Sequence, residues 1–171
     1  MKRIIQLYEL HKEAIFRYFL RMIGNEEEAG ELTQEVFFQA CLSLYRFKQE
    51  SSLKTWLFSI ARNVYLKHLR KKGVYKTQTW EENLHFSEQE PQNSDPAEIL
   101  ILKEERARIK KALALLPEKD RTIIILKEYE QLSYEEIARI YGQTVNWARV
   151  TFFRAKKRLG QVYREREDDH K

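Results

Sequence analysis

"LSYEEIARIYGQTVNWARVTFFRAKKRL" occupies residues 132–159. It reads as a short helix, a tight turn at one glycine, and a second, basic helix. Ser133 and Glu136 have the S-x-x-E spacing of a capping box. In such a box the hydroxyl and the carboxylate each satisfy a backbone N–H that the helix start leaves free. Leu132 before the cap and Ile137 after it can close a hydrophobic staple. Gly142 supplies the positive φ of a tight turn, and Thr144 can cap the next helix. In that helix Val145, Ala148, Phe152, Ala155 and Leu159 recur on one side and should pack inward. The other sides carry Asn146, Trp147, Arg149, Val150, Phe153, Arg154, Lys157 and Arg158. From 145 to 166, seven bases stand against one acid, Glu165. A solvated surface helix mixes signs, and this one does not. The result is a helix-turn-helix, whose second helix fits the DNA major groove: N-terminal residues read bases and flanking cations meet phosphates. The competing reading is a basic helix of an ordinary bundle. Two capping boxes, the turn glycine and the one-signed surface favour DNA.

The remainder of the chain is consistent with an all-α protein. Its 171 residues contain only five glycines and three prolines, with long amphipathic stretches between them and no sustained strand-like alternation. The hydrophobic fraction of 43% is enough for a packed core, and a net charge of +5 with 33% charged residues suits an anionic partner. The single cysteine, Cys41, cannot form an internal disulfide. His11, His68, His85 and His170 are scattered without metal-ligand spacing, so neither a zinc site nor any other cofactor is expected. No apolar run approaches membrane-spanning length, and "MKRIIQLYELHKEAIF" interrupts its apolar residues with charge, unlike a signal peptide. A cytoplasmic location is expected.

Three helices are expected in the front half. The first, 2–22, ends at Gly24-Asn25. The second, 26–47, opens with three glutamates, favourable at a helix N-terminus, and carries Ala29, Leu32, Val36, Ala40, Leu44 and Phe47 on one stripe. The third begins after Ser51-Ser52, turns Leu53, Trp56, Leu57, Ile60 and Val64 inward, and stops at "KHLRKKG". Then the composition shifts. Residues 78–105 hold eight acids and one base, together with Pro91 and Pro96. Residues 75–94 have no period and read as an acidic linker, with a root-mean-square span of roughly 25 Å if flexible. Trp80, Leu84 and Phe86 are unusual in such a linker; docking on a neighbour and transient collapse both remain open. Asp95, Pro96 and Glu98 form the other capping box, opening a helix that runs to 116 and stops at Pro117. A further helix spans 118–130, with the apolar "TIIIL". The chain thus divides into a unit at 1–74, the linker 75–94, a unit at 95–164 and a charged tail, 165–171.

Two surfaces of the front unit stand out. On the second helix, Glu31, Gln34, Glu35, Phe38, Leu42 and Tyr45 share the side opposite the stripe. Large apolar residues beside carboxylates suit a protein docking site, but periodicity weighs equally a side covered by the first helix or the linker. On the third helix the polar side is Thr55, Ser59, Arg62, Asn63 and Arg70, and residues 62–76 hold six bases and no acid. With Tyr45, Phe47, Trp56, Phe58 and Tyr65 nearby, this pattern suits single-stranded nucleic acid, where bases stack while cations neutralise the backbone. Trp56 itself is expected in the core, and the basic run alone also fits a solvated helix end.

Three stretches, in order, resemble the sigma factors of bacterial RNA polymerase. "GELTQEVFFQACLSL" resembles their "DLTQEVF" segment, "SSLKTWLFSIARNVYLKHLRKK" their promoter-melting helix, and "LPEKDRTIIILKEYEQLSYEEIARIYG…RAKKRL" their C-terminal DNA-binding domain. The short two-domain layout resembles the extracytoplasmic-function group. The resemblance implies a non-catalytic subunit that joins core RNA polymerase and directs it to promoter DNA, without a small-molecule substrate. It implies polymerase contacts at Glu31, Leu32, Gln34, Glu35 and Phe38, with Glu31 replacing the usual aspartate. It implies capture of the melted minus-ten strand by Phe47, Ser51, Ser52, Arg62, Asn63 and Arg70. Reading of the minus-thirty-five element would fall to Asn146, Arg149, Val150, Phe153, Arg154, Lys157 and Arg158. Arg149 and Arg154 match basic positions of the family, whereas Thr151 and Trp147 replace a usual arginine and threonine, so the base sequence read is not implied. The family's linker lies in the RNA-exit path of the polymerase, where acidity can mimic nucleic acid; simple solubility explains that acidity equally well. An inhibitory partner, often a membrane-anchored anti-sigma factor, is also implied. The alternative is a conventional helix-turn-helix regulator that binds operator DNA without replacing the sigma subunit. An enzyme is disfavoured, because no phosphate loop, metal cluster or nucleophile triad is apparent.

Overall fold

The computed structural model describes residues 2–73 and 95–168. Among these every regular element is helical: α1 (Lys2–Ile23), α2 (Glu26–Ser43), α3 (Leu53–Lys72), α4 (Pro96–Ala114), α5 (Glu118–Ile124), α6 (Tyr134–Tyr141) and α7 (Val145–Asp168). The expected linker, with Trp80, Leu84, Phe86 and Pro91, and the last three residues of the tail lie outside the described residues.

Local chemistry sets the helix ends. Asn25 opens α2 by accepting from the Glu28 N–H at 2.9 Å, and the three glutamates follow in the first turn. Ser52 opens α3 by accepting from the Thr55 N–H at 3.1 Å, and Gly73, at φ 63°, closes it behind Arg70, Lys71 and Lys72. Asp95 opens α4 by accepting from the Ala97 N–H at 3.1 Å, ahead of Pro96. The helix stops at Ala114 rather than 116. Helix α2 also ends early, at Ser43, whose hydroxyl donates back to the Gln39 carbonyl; a 3-10 turn, Leu44–Arg46, completes the stretch expected as one helix. Helix α7 continues past 164 to Asp168, into the expected tail.

Helices α1, α2 and α3 form one bundle around Ile15, Tyr18, Phe19, Met22, Val36, Leu57 and Phe58. Tyr18 meets Phe58 edge to face, with centroids 5.5 Å apart. The buried side of α3 is rotated from the expected stripe. Leu57 and Val64 are buried as expected, but so are Thr55, Phe58, Ala61, Tyr65 and Leu69, while Leu53, Trp56 and Ile60 are only half-buried. The cause is that α3 has two neighbours: α1 and α2 cover one side and α6 packs on another.

In the second unit α5, α6 and α7 enclose Ile123, Ile124, Ile125, Leu126, Ile137, Ala148, Phe152 and Ala155. The stretch expected as one helix, 118–130, widens after Ile124 into a π turn, Ile125–Tyr129, in which the Glu130 N–H bonds the Ile125 carbonyl at 3.0 Å. This exit carries the Glu130 side chain into the core edge, 5% exposed, with its carboxylate 3.8 Å from Arg21 of α1. Burial holds its carboxyl above the usual carboxylate range against the pull of Lys54, Arg21 and Arg17.

The two units touch. Arg121, 6% exposed, donates to the Leu113, Ala114 and Leu116 carbonyls at 3.1, 2.8 and 3.0 Å, and across the boundary to the Met22 carbonyl at 2.8 Å. One cation thereby satisfies the C-terminal carbonyls of both α1 and α4, where the helix dipoles favour positive charge.

Candidate nucleic-acid interface

The helix-turn-helix forms as its local chemistry dictates. Ser133 Oγ accepts from the Glu136 N–H at 3.1 Å, and Glu136 Oε2 accepts from the Ser133 N–H at 2.8 Å. Leu132 and Ile137 are both buried beside this box, as a staple requires. Gly142 turns the chain at φ 61°, a conformation that costs an L-residue about 1 kcal/mol or more. Thr144 Oγ1 then accepts from the Trp147 N–H at 3.1 Å to open α7. Inward, Ala148, Phe152 and Ala155 are buried, and Val145 and Leu159 are partly so.

The outward residues of α7 fall into two groups. Asn146, Val150, Phe153, Arg154 and Lys157 are exposed and clear of the core, Phe153 at 71%. Arg149 lies over the Tyr134 ring at 5.5 Å, and Arg158 pairs with the buried Asp120 of α5. Those two cations therefore also hold the unit together. Trp147, expected on an outward side, packs instead on Tyr141, with ring centroids 5.0 Å apart.

In the front unit, Phe47, Ser51, Ser52, Arg62, Asn63 and Arg70 line the outer side and entry loop of α3, with Ser52, Asn63 and Arg70 exposed. Trp56 is half-buried rather than in the core and stacks obliquely on Phe47, centroids 5.1 Å apart. Together with Arg46, Lys48, Glu50 and Ser51 the two rings line an open cleft of about 200 Å³, flanked by cations. Flat rings beside cations can hold an unstacked base near a phosphate. Arg62 is different: its guanidinium lies 4.1 Å from the centre of the Tyr141 ring of α6.

On α2, Gln34 and Glu31 are exposed, Leu32 and Glu35 are partly buried, and Gln39 donates to Glu35 at 2.8 Å. Phe38, Leu42 and Tyr45 are 57%, 56% and 76% exposed. No described element covers this side, so neither α1 nor its neighbours account for its large apolar residues.

Several residues at the contact between units carried no signal in the sequence. Thr55, expected on a solvated polar side, is 2% exposed, and its hydroxyl donates to Glu136 at 2.9 Å. Lys54 donates to the Glu130 carbonyl at 2.7 Å, and Arg139 to the Glu50 carbonyl at 2.6 Å. Burial alone would raise the Glu136 carboxyl. Hydrogen bonds from the Ser133 N–H, Thr55 and the Ser133 hydroxyl, with the nearby Lys54 charge, overcome this and hold it below the usual carboxylate range.

Comparison with known proteins gives the same order of parts. Residues 7–74 match the family described as Sigma-70 region 2, and residues 106–159 match Sigma-70, region 4. The RNA polymerase sigma-H factor of Pseudomonas aeruginosa is 30% identical over 167 residues, covering 94% of this chain and 86% of that protein. The RNA polymerase sigma factor YlaC of Bacillus subtilis is 28% identical over 167 residues, covering 97% and 95%. Among solved structures, the sigma factor RpoE of Bartonella quintana, in complex with the anti-sigma factor NepR, is 25% identical. It superposes with a TM-score of 0.74 over 96% of this chain and 98% of that one.

Proposed function

The chain belongs to the extracytoplasmic-function group of the sigma-70 family, and from that premise we propose how its parts divide the work of starting transcription. As a sigma factor it joins core RNA polymerase and directs initiation at specific promoters. The front unit, 1–74, holds both the polymerase contact and the minus-ten reader; the back unit, 95–164, reads minus-thirty-five; residues 75–94 join them. Phe38 and Gln34, with Glu31, Leu32 and Glu35, dock on core polymerase. Phe47, Ser51, Ser52, Arg62, Asn63 and Arg70 hold the melted strand, with the Phe47–Trp56 cleft beside them. Asn146, Arg149, Val150, Phe153, Arg154, Lys157 and Arg158 face the minus-thirty-five duplex. The subunit is non-catalytic and acts in the cytoplasm; among the described residues no helix is long and apolar enough to cross a membrane. An anti-sigma factor is its regulatory partner, as NepR is in the complex with RpoE.

The observation that carries this reading is the apolar face of α2, covered by no described element, in the same chain as a basic helix-turn-helix. A conventional operator-binding regulator needs no polymerase contact on that face. Run-off transcription tests the reading: core polymerase alone should leave a cognate promoter silent, and adding this chain should produce transcript. Tight binding of the chain to promoter DNA without any effect on initiation would favour the regulator instead.

The minus-thirty-five assignment has its own test. Arg154 is exposed and makes no contact that holds the fold, so Arg154→Ala should leave stability unchanged. Binding to the minus-thirty-five duplex should weaken by about 1–3 kcal/mol if Arg154 reads a base. If it meets a phosphate, the slope of log affinity against log salt should become shallower by about one. Salt-titrated fluorescence anisotropy separates the two outcomes.

A further inference from the structure

We propose that residues 80–90, "WEENLHFSEQE", dock on α4 through Trp80, Leu84 and Phe86, so that the second unit begins near residue 80 rather than 95. Helix α4 is held at one end only. Among the described helices it packs mainly on α7, and its buried residues, Ala112 and Leu113, lie in its last turn. From Pro96 to Ile109 every residue except the half-buried Ile99 is exposed. That is about four turns, or about 21 Å, of helix standing off the bundle. So short a helix is marginal in water unless an apolar face is packed. Yet residues 99–102 read Ile-Leu-Ile-Leu. Leu100 and Ile101 are 59% and 58% exposed, and Leu102 and Ile109, both 38% exposed, continue along the helix. Four consecutive apolar residues on an exposed helix call for a partner.

The adjoining segment has the matching chemistry. Trp80, Leu84 and Phe86 are three large apolar residues in a stretch whose others are polar or charged. Among those others are Glu81, Glu82, Glu88 and Glu90, with no lysine or arginine. Helix α4 carries five bases, Lys103, Arg106, Arg108, Lys110 and Lys111, against three acids, Glu98, Glu104 and Glu105. Apolar groups thus meet apolar groups while acids meet bases. Reach is not limiting. Phe86 stands nine residues before Asp95, a span of up to about 30 Å, whereas Leu100 and Ile101 lie only about 8–9 Å along the axis from the cap. So short a tether holds the segment at an effective concentration on the order of millimolar. A contact too weak for a separate partner therefore suffices. A second copy of α4 fits less well, because a symmetric pairing would set the same five bases against one another. This docking does not depend on which promoter element either unit reads.

Nuclear magnetic resonance of the full chain, with labelled leucine and isoleucine methyls, tests the contact directly. The Leu100 and Ile101 methyls should be displaced by the ring currents of Trp80 and Phe86. The double variant Trp80→Ala/Phe86→Ala should remove that displacement. The converse variant, Leu100→Gln/Ile101→Gln, keeps good helix formers in α4. It should release residues 80–90, so that a glutamate-specific protease cuts there about tenfold faster, in step with the undocked fraction. Leu10→Gln alters an apolar residue of α1 that is at least as exposed, and should leave that rate within about twofold of wild type. In every variant the Ile137 methyls, buried elsewhere in the second unit, report an intact fold. Leu100 and Ile101 methyls that ignore the loss of Trp80 and Phe86 would overturn the docking. That holds whether they sit at ordinary positions, shift with chain concentration as a second copy requires, or shift only when core polymerase is added. Equal cleavage of wild type and Leu100→Gln/Ile101→Gln within residues 80–90 would overturn it as well.

Discussion

Replacing Arg121 by methionine is expected to destabilise the protein by about 4 kcal/mol, the largest stability effect of any single substitution considered for this chain. The guanidinium is the hydrogen-bond partner of four backbone carbonyls, at Leu113, Ala114, Leu116 and Met22. Methionine fills much the same volume but donates nothing. It leaves carbonyls at the ends of two helices without that partner in a site that is 6% exposed. Each orphaned buried acceptor costs about 1–3 kcal/mol, and partial hydration on relaxation trims the sum. For a chain of this size the melting temperature should fall by about 12 °C. Arg121→Lys should recover less than half of that loss, because one ammonium lacks the planar fork that reaches carbonyls in several directions. Burial lowers the guanidinium's pKa from its usual value, partly offset by the Tyr65 and Glu118 oxygens, yet leaves it charged across the working pH range. The deficit should therefore be the same at pH 6 and pH 8. Thermal and urea denaturation monitored by circular dichroism would measure it, and a loss below about 1 kcal/mol would mean that water replaces the guanidinium at little cost.

Arg121 also marks the limit of what the sequence discloses. The helix-turn-helix was legible because its signals are local. A serine and a glutamate three residues apart, a glycine at a positive φ and a threonine before a basic helix all act within one turn of themselves, and each bond forms as expected. The apolar side of α2 was legible in part: Phe38, Leu42 and Tyr45 break a period that Ala29, Val36 and Ala40 define, but that break fits a covered side equally well, and only the packing of the described helices shows that none of them covers it. The contact between units gave no such sign. Arg121, Lys54 and Arg139 reach backbone carbonyls at Met22, Glu130 and Glu50, and every residue carries a carbonyl, so no side-chain pairing betrays the partner. Thr55 misled because threonine suits a solvated turn and a buried hydrogen bond equally well. The π turn after "TIIIL" was hidden because an unbroken apolar run has no phase from which a widened turn could be read.

Removing Phe38 and Gln34 together should produce the largest functional loss while leaving the fold intact. Phe38 is 57% exposed and Gln34 is exposed, so neither contributes much to the core. Burying an aromatic ring of that size against a partner stabilises a complex by about 2 kcal/mol, and one well-made side-chain hydrogen bond adds about 1 kcal/mol. Anchors of this kind dominate interfaces when they are packed centrally and dry. The double variant Gln34→Ala/Phe38→Ala is thus expected to bind core polymerase about 100-fold more weakly, since each 1.4 kcal/mol is tenfold. Its melting temperature should stay within about 2 °C of wild type. Leu10→Ala supplies the comparison: Leu10 is 75% exposed on α1, outside the docking set, and its loss should leave affinity for core unchanged. Because α2 packs on α1 and α3 rather than on α7, the double variant should bind a minus-thirty-five duplex as wild type does. Run-off transcription should then fall with core binding and return at high concentration of the variant. A variant that captures core with wild-type affinity would remove the polymerase contact from α2. The apolar face beside Glu31 and Glu35 would then need another partner, and the division of labour proposed for the two units would fail at its first step.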